Sequence, residues 1–175
     1  MNHLLRVAIR IISAYGVRDA DVVCAALLHD AVEDHPAEVA GLAPGGGQAA
    51  DLRAALARLA AEFGPRVAEM VGAVTNPPYA PGRDQDEQYR EHVADSLSDN
   101  PWARIIKVSD FTDNGVGLIH TTGPRLRRLA AKYAPLVPVL TELISRPDTP
   151  LDDAVKEQIL AQLARAADRF AAVLG

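Results

Sequence analysis

The chain has 175 residues, of which 49% are hydrophobic and 23% charged, and its formal net charge is −5. This length suits one domain with a substantial core, and the composition is typical of soluble globular proteins. The acidic balance argues against nucleic-acid binding, which requires a basic surface that neutralises phosphates. Cys24, the single cysteine, excludes an internal disulfide. We recognise no signal peptide and no membrane-spanning run, so we expect a cytoplasmic protein without a membrane partner.

The balance of residue types also indicates the fold class. Alanine and leucine are abundant, whereas alternation of β-branched and aromatic residues is scarce, and only 5% of residues are aromatic. These residues favour helices over strands. We therefore predict an all-α protein with one domain over residues 1–175 and its C-terminal helices packed on the rest.

The first half of the chain divides into helices and breaks. Apolar residues at helical spacing predict helices over 3–15 and 20–33, and Asp19 is placed to cap the second. This second helix is apolar nearly all round, so we expect it to be central and buried. Residues 35–48 contain two prolines and a glycine triplet, which predict a loop. Further helices are predicted over 49–62, 65–75 and 83–99.

The second half begins with an apolar stretch that follows Pro101 and carries the chain inward to Asp110. Residues 111–123 are rich in glycine and threonine. A helix is predicted over 124–146, kinked at Pro135 and Pro138. The last helix, over 151–173, has an apolar stripe that should pack on the body of the protein.

An unusual group of charged residues ends the predicted central helix. An apolar run leads directly into His29-Asp30, and Glu33 and Asp34 follow. Residues four apart share a helix face, so His29 lies over Glu33 and Asp30 over Asp34. A charge taken toward a core is costly unless it is paired or bound to a metal. This group therefore requires partners from elsewhere in the chain.

Two other residues can supply those partners. His3 begins the first helix, and antiparallel packing of two helices of similar length would bring it near His29. Asp110 arrives from the later apolar stretch. Imidazole nitrogens and carboxylate oxygens without a thiolate suit Mn, Mg or Fe. The candidate metal ligands are therefore His3, His29, Asp30 and Asp110.

The order of these residues resembles that of the HD-domain metal-dependent phosphohydrolases. Within that superfamily, the chain is similar to the hydrolase domain of the RelA/SpoT enzymes and their small stand-alone relatives. The similarity extends from residue 3 to about residue 114. The strings that carry it are His3–Ala8, Ala25–Asp34, Glu62–Gly64 before Val67-Ala68, Ala73–Thr75, Tyr89-Arg90, and Ile106–Asp110 with Asn114.

The resemblance implies an all-helical HD-type fold and the hydrolysis of a phosphate ester or pyrophosphate in a small nucleotide. A guanosine polyphosphate is the candidate substrate. In this family the four candidate ligands bind one divalent metal, usually Mn²⁺. A bound metal polarises a phosphoryl oxygen and lowers the pKa of water.

The resemblance also assigns roles to residues around the ligands. Glu33 and Asp34 would orient or deprotonate the attacking water. Lys107 and Asn114 would help to hold the site and the substrate, and Arg90 would meet a phosphate. Alone, Arg90 is equally consistent with a surface ion pair.

Two departures from the family pattern keep another function open. Family members carry basic residues before the first histidine that contact the nucleotide, whereas only Met1 and Asn2 precede His3 here. Phe111 stands where the family has an arginine. The alternative is a non-catalytic HD-type module that binds metal or nucleotide and regulates. A purely structural helical protein is a third possibility.

Several polar residues have simpler interpretations. His35 and His120 are predicted as loop residues, and the string His120-Thr121-Thr122-Gly123 has no assigned role. A basic set near the start of the predicted 124–146 helix suits a solvated face, or a groove that extends an anionic-substrate site. Its members are Arg125, Arg127, Arg128 and Lys132.

Overall fold

The computed structural model describes residues 2–43, 47–115 and 124–175, and all of its regular elements in these ranges are α-helices. The fold is all-α, so the prediction from composition is confirmed. The helices are α1 (His3–Ser13), α2 (Ala20–Asp34), α3 (Pro36–Ala40), α4 (Gln48–Phe63), α5 (Pro65–Val74), α6 (Gln85–Ser98), α7 (Pro101–Asn114), α8 (Pro124–Tyr133), α9 (Leu136–Ser145) and α10 (Asp153–Leu174).

Helix α2 is the central element of the first half of the chain. It contacts α1, α3, α4, α5 and α7, and Val22, Ala25 and Ala26 are fully buried. The side chain of Asp19 caps it by accepting hydrogen bonds from the backbone N–H groups of residues 21 and 22. The short connection between α1 and α2 makes them antiparallel, so the start of α1 lies beside the end of α2.

Helix α7 crosses the same region and is unusually buried. Every residue from Ala103 to Phe111 is buried. Arg104 is fully buried near the start of the helix, where it donates hydrogen bonds to the carbonyl of Leu97, the hydroxyl of Thr149 and the carboxylate of Asp148. A buried guanidinium requires such a complete set of acceptors. These bonds fix the first turn of α7, and the helix then leads to the residues of the candidate site.

The structure corrects the prediction in two places. The loop predicted over 35–48 contains α3, because Pro36 suits the first turn of a helix and Gly41 ends it in the left-handed conformation, with φ of 71°. The helix predicted over 124–146 is two helices, α8 and α9. Pro135 has no N–H group to donate and clashes with the preceding turn, so α8 ends at Tyr133.

The C-terminal helix, α10, packs through one apolar face. Its buried residues are Ile159, Leu163, Ala166 and Phe170. The rings of Phe170 and Phe111 meet edge to face with centroids 6.4 Å apart, which connects α10 to α7. No helix in the described part of the chain is long and apolar enough to cross a membrane.

An ion pair between α2 and α5 gives a testable contribution to stability. Arg66 donates to both carboxylate oxygens of Asp19, at 2.8 and 2.7 Å, and this lowers the pKa of Asp19. Asp19→Asn keeps a capping oxygen but loses the charge. Because the pair is partly exposed, we expect a loss of about 0.5–1 kcal/mol in unfolding free energy at pH 7.

The effect should depend on pH with a definite sign. A carboxylate with a lowered pKa stabilises the folded state above its unfolded pKa, and this stabilisation is lost as pH falls through the folded pKa. Urea unfolding should therefore show that the difference between Asp19→Asn and wild type shrinks as pH falls below the ordinary aspartate pKa of about 4. A difference that stays constant from pH 7 to pH 3 would contradict this explanation.

Candidate metal centre

Four side chains from three helices meet where α1 begins and where α2 and α7 end. His3 is the first residue of α1, His29 and Asp30 lie in the last turns of α2, and Asp110 lies one turn before the end of α7. The ring centroids of the two histidines are 5.5 Å apart. Antiparallel packing of α1 and α2 thus brings His3 beside His29, as the sequence suggested. Asp30 and Asp110 also lie near each other in the fold, although they are 80 positions apart in the chain.

Two of the four nitrogen–oxygen separations in the cluster match those between ligands of one ion, and the other two are slightly longer. The Nε2 atom of His3 is 3.6 Å from Asp30 Oδ2 and 3.2 Å from Asp110 Oδ1. The Nε2 atom of His29 is 3.0 Å from Asp30 Oδ1 and 3.8 Å from Asp110 Oδ1. Ligands at about 2.1 Å from a shared ion, in tetrahedral or octahedral geometry, are about 3.0–3.4 Å apart.

Neither histidine Nε2 atom has a hydrogen-bond partner within the described residues, although both atoms are buried. Buried polar nitrogens without a partner are costly, and carboxylate oxygens lie beside both of them. One donor atom from each of His3, His29 and Asp30 lies within 4.8 Å of the others, so a divalent cation between them would satisfy both nitrogens, with Asp110 Oδ1 beside it. The residues present therefore fit a metal ion.

The other ring nitrogens fix the direction of the two imidazoles. His29 Nδ1 is 2.8 Å from the carbonyl oxygen of Ala26, and His3 Nδ1 is 2.7 Å from Oδ2 of Asp113. A carbonyl or carboxylate can only accept, so each Nδ1 carries the hydrogen and donates it. When the ring is neutral, this arrangement leaves the lone pair on Nε2, facing the cluster, which is the tautomer that binds a metal.

Both carboxylate oxygens of Asp110 have partners on its own helix. Its Oδ1 accepts a hydrogen bond of 2.6 Å from Asn114, and its Oδ2 lies 3.3 Å from the ammonium of Lys107. Burial alone would raise the pKa of Asp110, but Lys107 and the two histidines hold it well below its ordinary range. Asp110 is therefore an anion in the folded protein.

The neighbouring carboxylates also shift the pKa values of the two histidines. Burial alone would lower the pKa of His29, but the carboxylates of Asp110 and Asp30 outweigh burial and raise it to about 10. Contact with Asp110 is the largest effect on the pKa of His3, which is also raised. The cluster thus attracts positive charge, whether protons or a metal cation.

Glu33 and Asp34, the two residues predicted to orient or deprotonate the attacking water, lie in different surroundings. Glu33 is half-buried, and its carboxylate accepts hydrogen bonds from the backbone N–H of Asn76 at 3.2 Å and from its side-chain amide at 2.9 Å. Asp34 is exposed at the last position of α2. Only Glu33 is therefore held in a fixed orientation by these contacts.

The three predicted substrate-binding residues lie in different surroundings. Lys107 and Asn114 both bind Asp110, and Lys107 is only 6% exposed. Arg90 pairs with Glu87 on its own helix, with 3.9 Å between charged atoms, and takes part in none of the cluster's contacts among the described residues. Lys107 and Asn114 thus contact a candidate metal ligand directly, whereas Arg90 does not.

Sequence reasoning missed the partner of His3. Asp113 lies on α7, which continues through Asn114 into a stretch whose glycine and threonine content obscured the helix. Had this helix been recognised, Asp113 would have been placed one turn beyond Asp110. On α1, His3, Arg6 and Arg10 have the spacing of one helix face, and this was the available signal.

A basic cavity of about 420 Å³ lies between the segment before α6, the start of α6, and α8. It is lined by Tyr79, Gln85, Asp86, Arg125, Arg128, Leu129 and Lys132. The ammonium of Lys132 is 4.9 Å from the ring centroid of Tyr89, and that of Lys107 is 5.2 Å from the same centroid. Tyr89 therefore links the cavity to the partner of Asp110.

The fourth member of the basic set faces elsewhere, since Arg127 donates to the carbonyl of Leu174. His35 is exposed, and its ring nitrogen lies within 4.0 Å of the carboxylate of Glu38. His120 and the rest of the string His120-Thr121-Thr122-Gly123 lie outside the described residues.

No protein-family model, curated protein or solved structure matches the chain. The geometry of the cluster is thus the main evidence on function.

The cluster predicts a specific metal-binding behaviour. Calorimetric titration with Mn²⁺ should show one ion per chain, and His29→Ala should weaken binding by about 100-fold or more, because it removes a buried ligand. His35→Ala removes an exposed histidine outside the cluster and should leave the affinity unchanged. Equal losses in both variants would contradict a metal centre at these residues.

Proposed function

We propose that the protein is a divalent-metal-dependent phosphohydrolase that cleaves a phosphate ester or pyrophosphate of a nucleotide. The observation that carries the proposal is the convergence of His3, His29, Asp30 and Asp110, where two buried Nε2 atoms have no hydrogen-bond partner among the described residues. The motif resemblance adds the nucleotide as substrate, with a guanosine polyphosphate as the first compound to test. Mn²⁺ is the proposed ion.

The four converging residues would hold the metal. When bound there, a divalent ion supplies Lewis acidity toward a phosphoryl oxygen and favours deprotonation of water. The Nδ1–H bonds of both histidines keep their rings oriented for this task. Lys107 and Asn114 keep the carboxylate of Asp110 ionised and in place.

Glu33 is the proposed acceptor of the proton from the attacking water. It lies one helical turn after His29, and Asn76 orients its carboxylate through two hydrogen bonds. A carboxylate fixed within reach of the reacting groups is what general-base catalysis requires. The exposed position of Asp34 makes it the weaker candidate for this role.

The basic cavity supports an anionic substrate. Arg125, Arg128 and Lys132 place three cations around it, against the single carboxylate of Asp86. Guanidinium groups bind phosphate oxygens through paired hydrogen bonds, and the ring of Tyr79 offers an apolar surface. The contacts of Tyr89 with Lys107 and Lys132 bring this surface close to the proposed metal ligands.

Catalysis is tested with a nucleotide panel and Mn²⁺. Wild type should release phosphate or pyrophosphate from at least one nucleotide, and Glu33→Gln should lower kcat by about 100-fold or more, because it removes a general base. Mn²⁺ affinity should be unchanged in Glu33→Gln, whereas His29→Ala should lose both binding and turnover. Nucleotide binding by wild type without any turnover would contradict the proposal and favour the regulatory module.

The cavity's role is tested with two neighbouring arginines. Arg128→Gln should raise KM by about 5- to 10-fold with little change in kcat, as expected for the loss of one charge-assisted contact. Arg127→Gln is the matched control, since this arginine bonds the carbonyl of Leu174 and does not line the cavity. Equal changes in KM for both variants would show a general charge effect and contradict a binding role for the cavity.

A further inference from the structure

We propose that Asp113 is a positioning residue that aims the Nε2 atom of His3 at the other metal ligands. Arg6 and Arg10 in turn hold the carboxylate of Asp113 in place. This inference rests on the proposed function, because it concerns the same metal centre. It adds a set of supporting residues that the four candidate ligands alone do not imply.

The need for such a residue follows from the place of His3 in its helix. His29 donates its Nδ1–H to the carbonyl of Ala26, which lies one turn earlier in α2. His3 is the first residue of α1, so no earlier turn of its own helix can offer a carbonyl. Its ring can be fixed only by a group from another element, and α7 supplies that group.

Asp113 provides this contact in a largely buried position. Its Oδ2 lies 2.7 Å from His3 Nδ1, and its side chain is only 6% exposed. Because a carboxylate accepts and cannot donate, it selects the tautomer with hydrogen on Nδ1 and a lone pair on Nε2. Metal-binding histidines are generally oriented by a hydrogen bond of this kind.

Two arginines fix the carboxylate itself. Arg6 donates from Nε to Oδ1 at 2.9 Å and from Nη2 to Oδ2 at 2.7 Å, which is a bidentate pair. Arg10 donates to Oδ1 at 3.3 Å and also binds the carbonyl of Ser109 at 2.8 Å. Both arginines and His3 belong to α1, so α1 is tied to α7 beside the ligand that it contributes.

The first test compares two aspartates paired with arginine. Asp113→Asn should weaken Mn²⁺ binding by about 10- to 100-fold at constant pH, measured by calorimetry. Asp19→Asn also removes a carboxylate that joins two helices through an arginine, but at a distance from the cluster, and should leave the affinity unchanged. Unchanged affinity in Asp113→Asn, or an equal loss in Asp19→Asn, would overturn the inference.

The second test separates positioning from simple charge. Arg6→Met removes a cation near the cluster, so electrostatics alone predicts tighter Mn²⁺ binding. Positioning predicts weaker binding, because Asp113 loses its bidentate partner. A measured affinity equal to or tighter than that of wild type would overturn the inference.

The third test asks whether Asp113 acts through His3. In a His3→Ala background, titrated to millimolar Mn²⁺, Asp113→Asn should change the affinity by less than about twofold, since the side chain it positions is absent. The same loss in both backgrounds would overturn the inference. Wild type that binds no Mn²⁺ would instead overturn the proposed metal centre itself, whereas wild-type binding with an unaffected Asp113→Asn would overturn only the role of Asp113.

Discussion

The structure around the candidate site depends on one buried anion, the carboxylate of Asp110. Taking a carboxylate out of water costs several kcal/mol unless its oxygens are bound, and both oxygens of this one accept hydrogen bonds from its own helix, from Lys107 and Asn114. The Nε2 atoms of His3 on α1 and His29 on α2 lie 3.2 and 3.8 Å from its Oδ1. The ends of three helices therefore lie at fixed positions around one charge, and this fixes the positions of the candidate ligand atoms that they carry.

The arrangement also explains why the proposed metal ligands lie at helix ends and not in loops. The first residue of α1 and the last turns of α2 and α7 meet because α2 is buried among its neighbours and α7 is buried along most of its length. Rigid helices hold ligand atoms more precisely than loops do. The proposed base Glu33 is the exception, since it depends on Asn76 in the segment that follows α5.

The contacts of Lys107 and Asn114 change how these two residues are understood. The family resemblance implied that they help to hold both the site and the substrate, and in the structure both bind Asp110, a proposed metal ligand. The proposed contact with an anionic substrate is assigned to the basic cavity, which is lined by Arg125, Arg128 and Lys132. Tyr89 contacts both Lys107 and Lys132, so the two regions share one aromatic ring.

The sequence by itself determined the all-α class, the approximate bounds of most helices and the four residues that converge. These features rest on helical periodicity and on local rules for caps, prolines and glycines, which act over a few residues. Only the tertiary structure decided that Asp113 supports His3 and that Glu33, unlike Asp34, is fixed by Asn76. The physical reason is separation along the chain: His3 and Asp113 are 110 positions apart, and no local pattern encodes such a contact. Helix packing alone brings these side chains together.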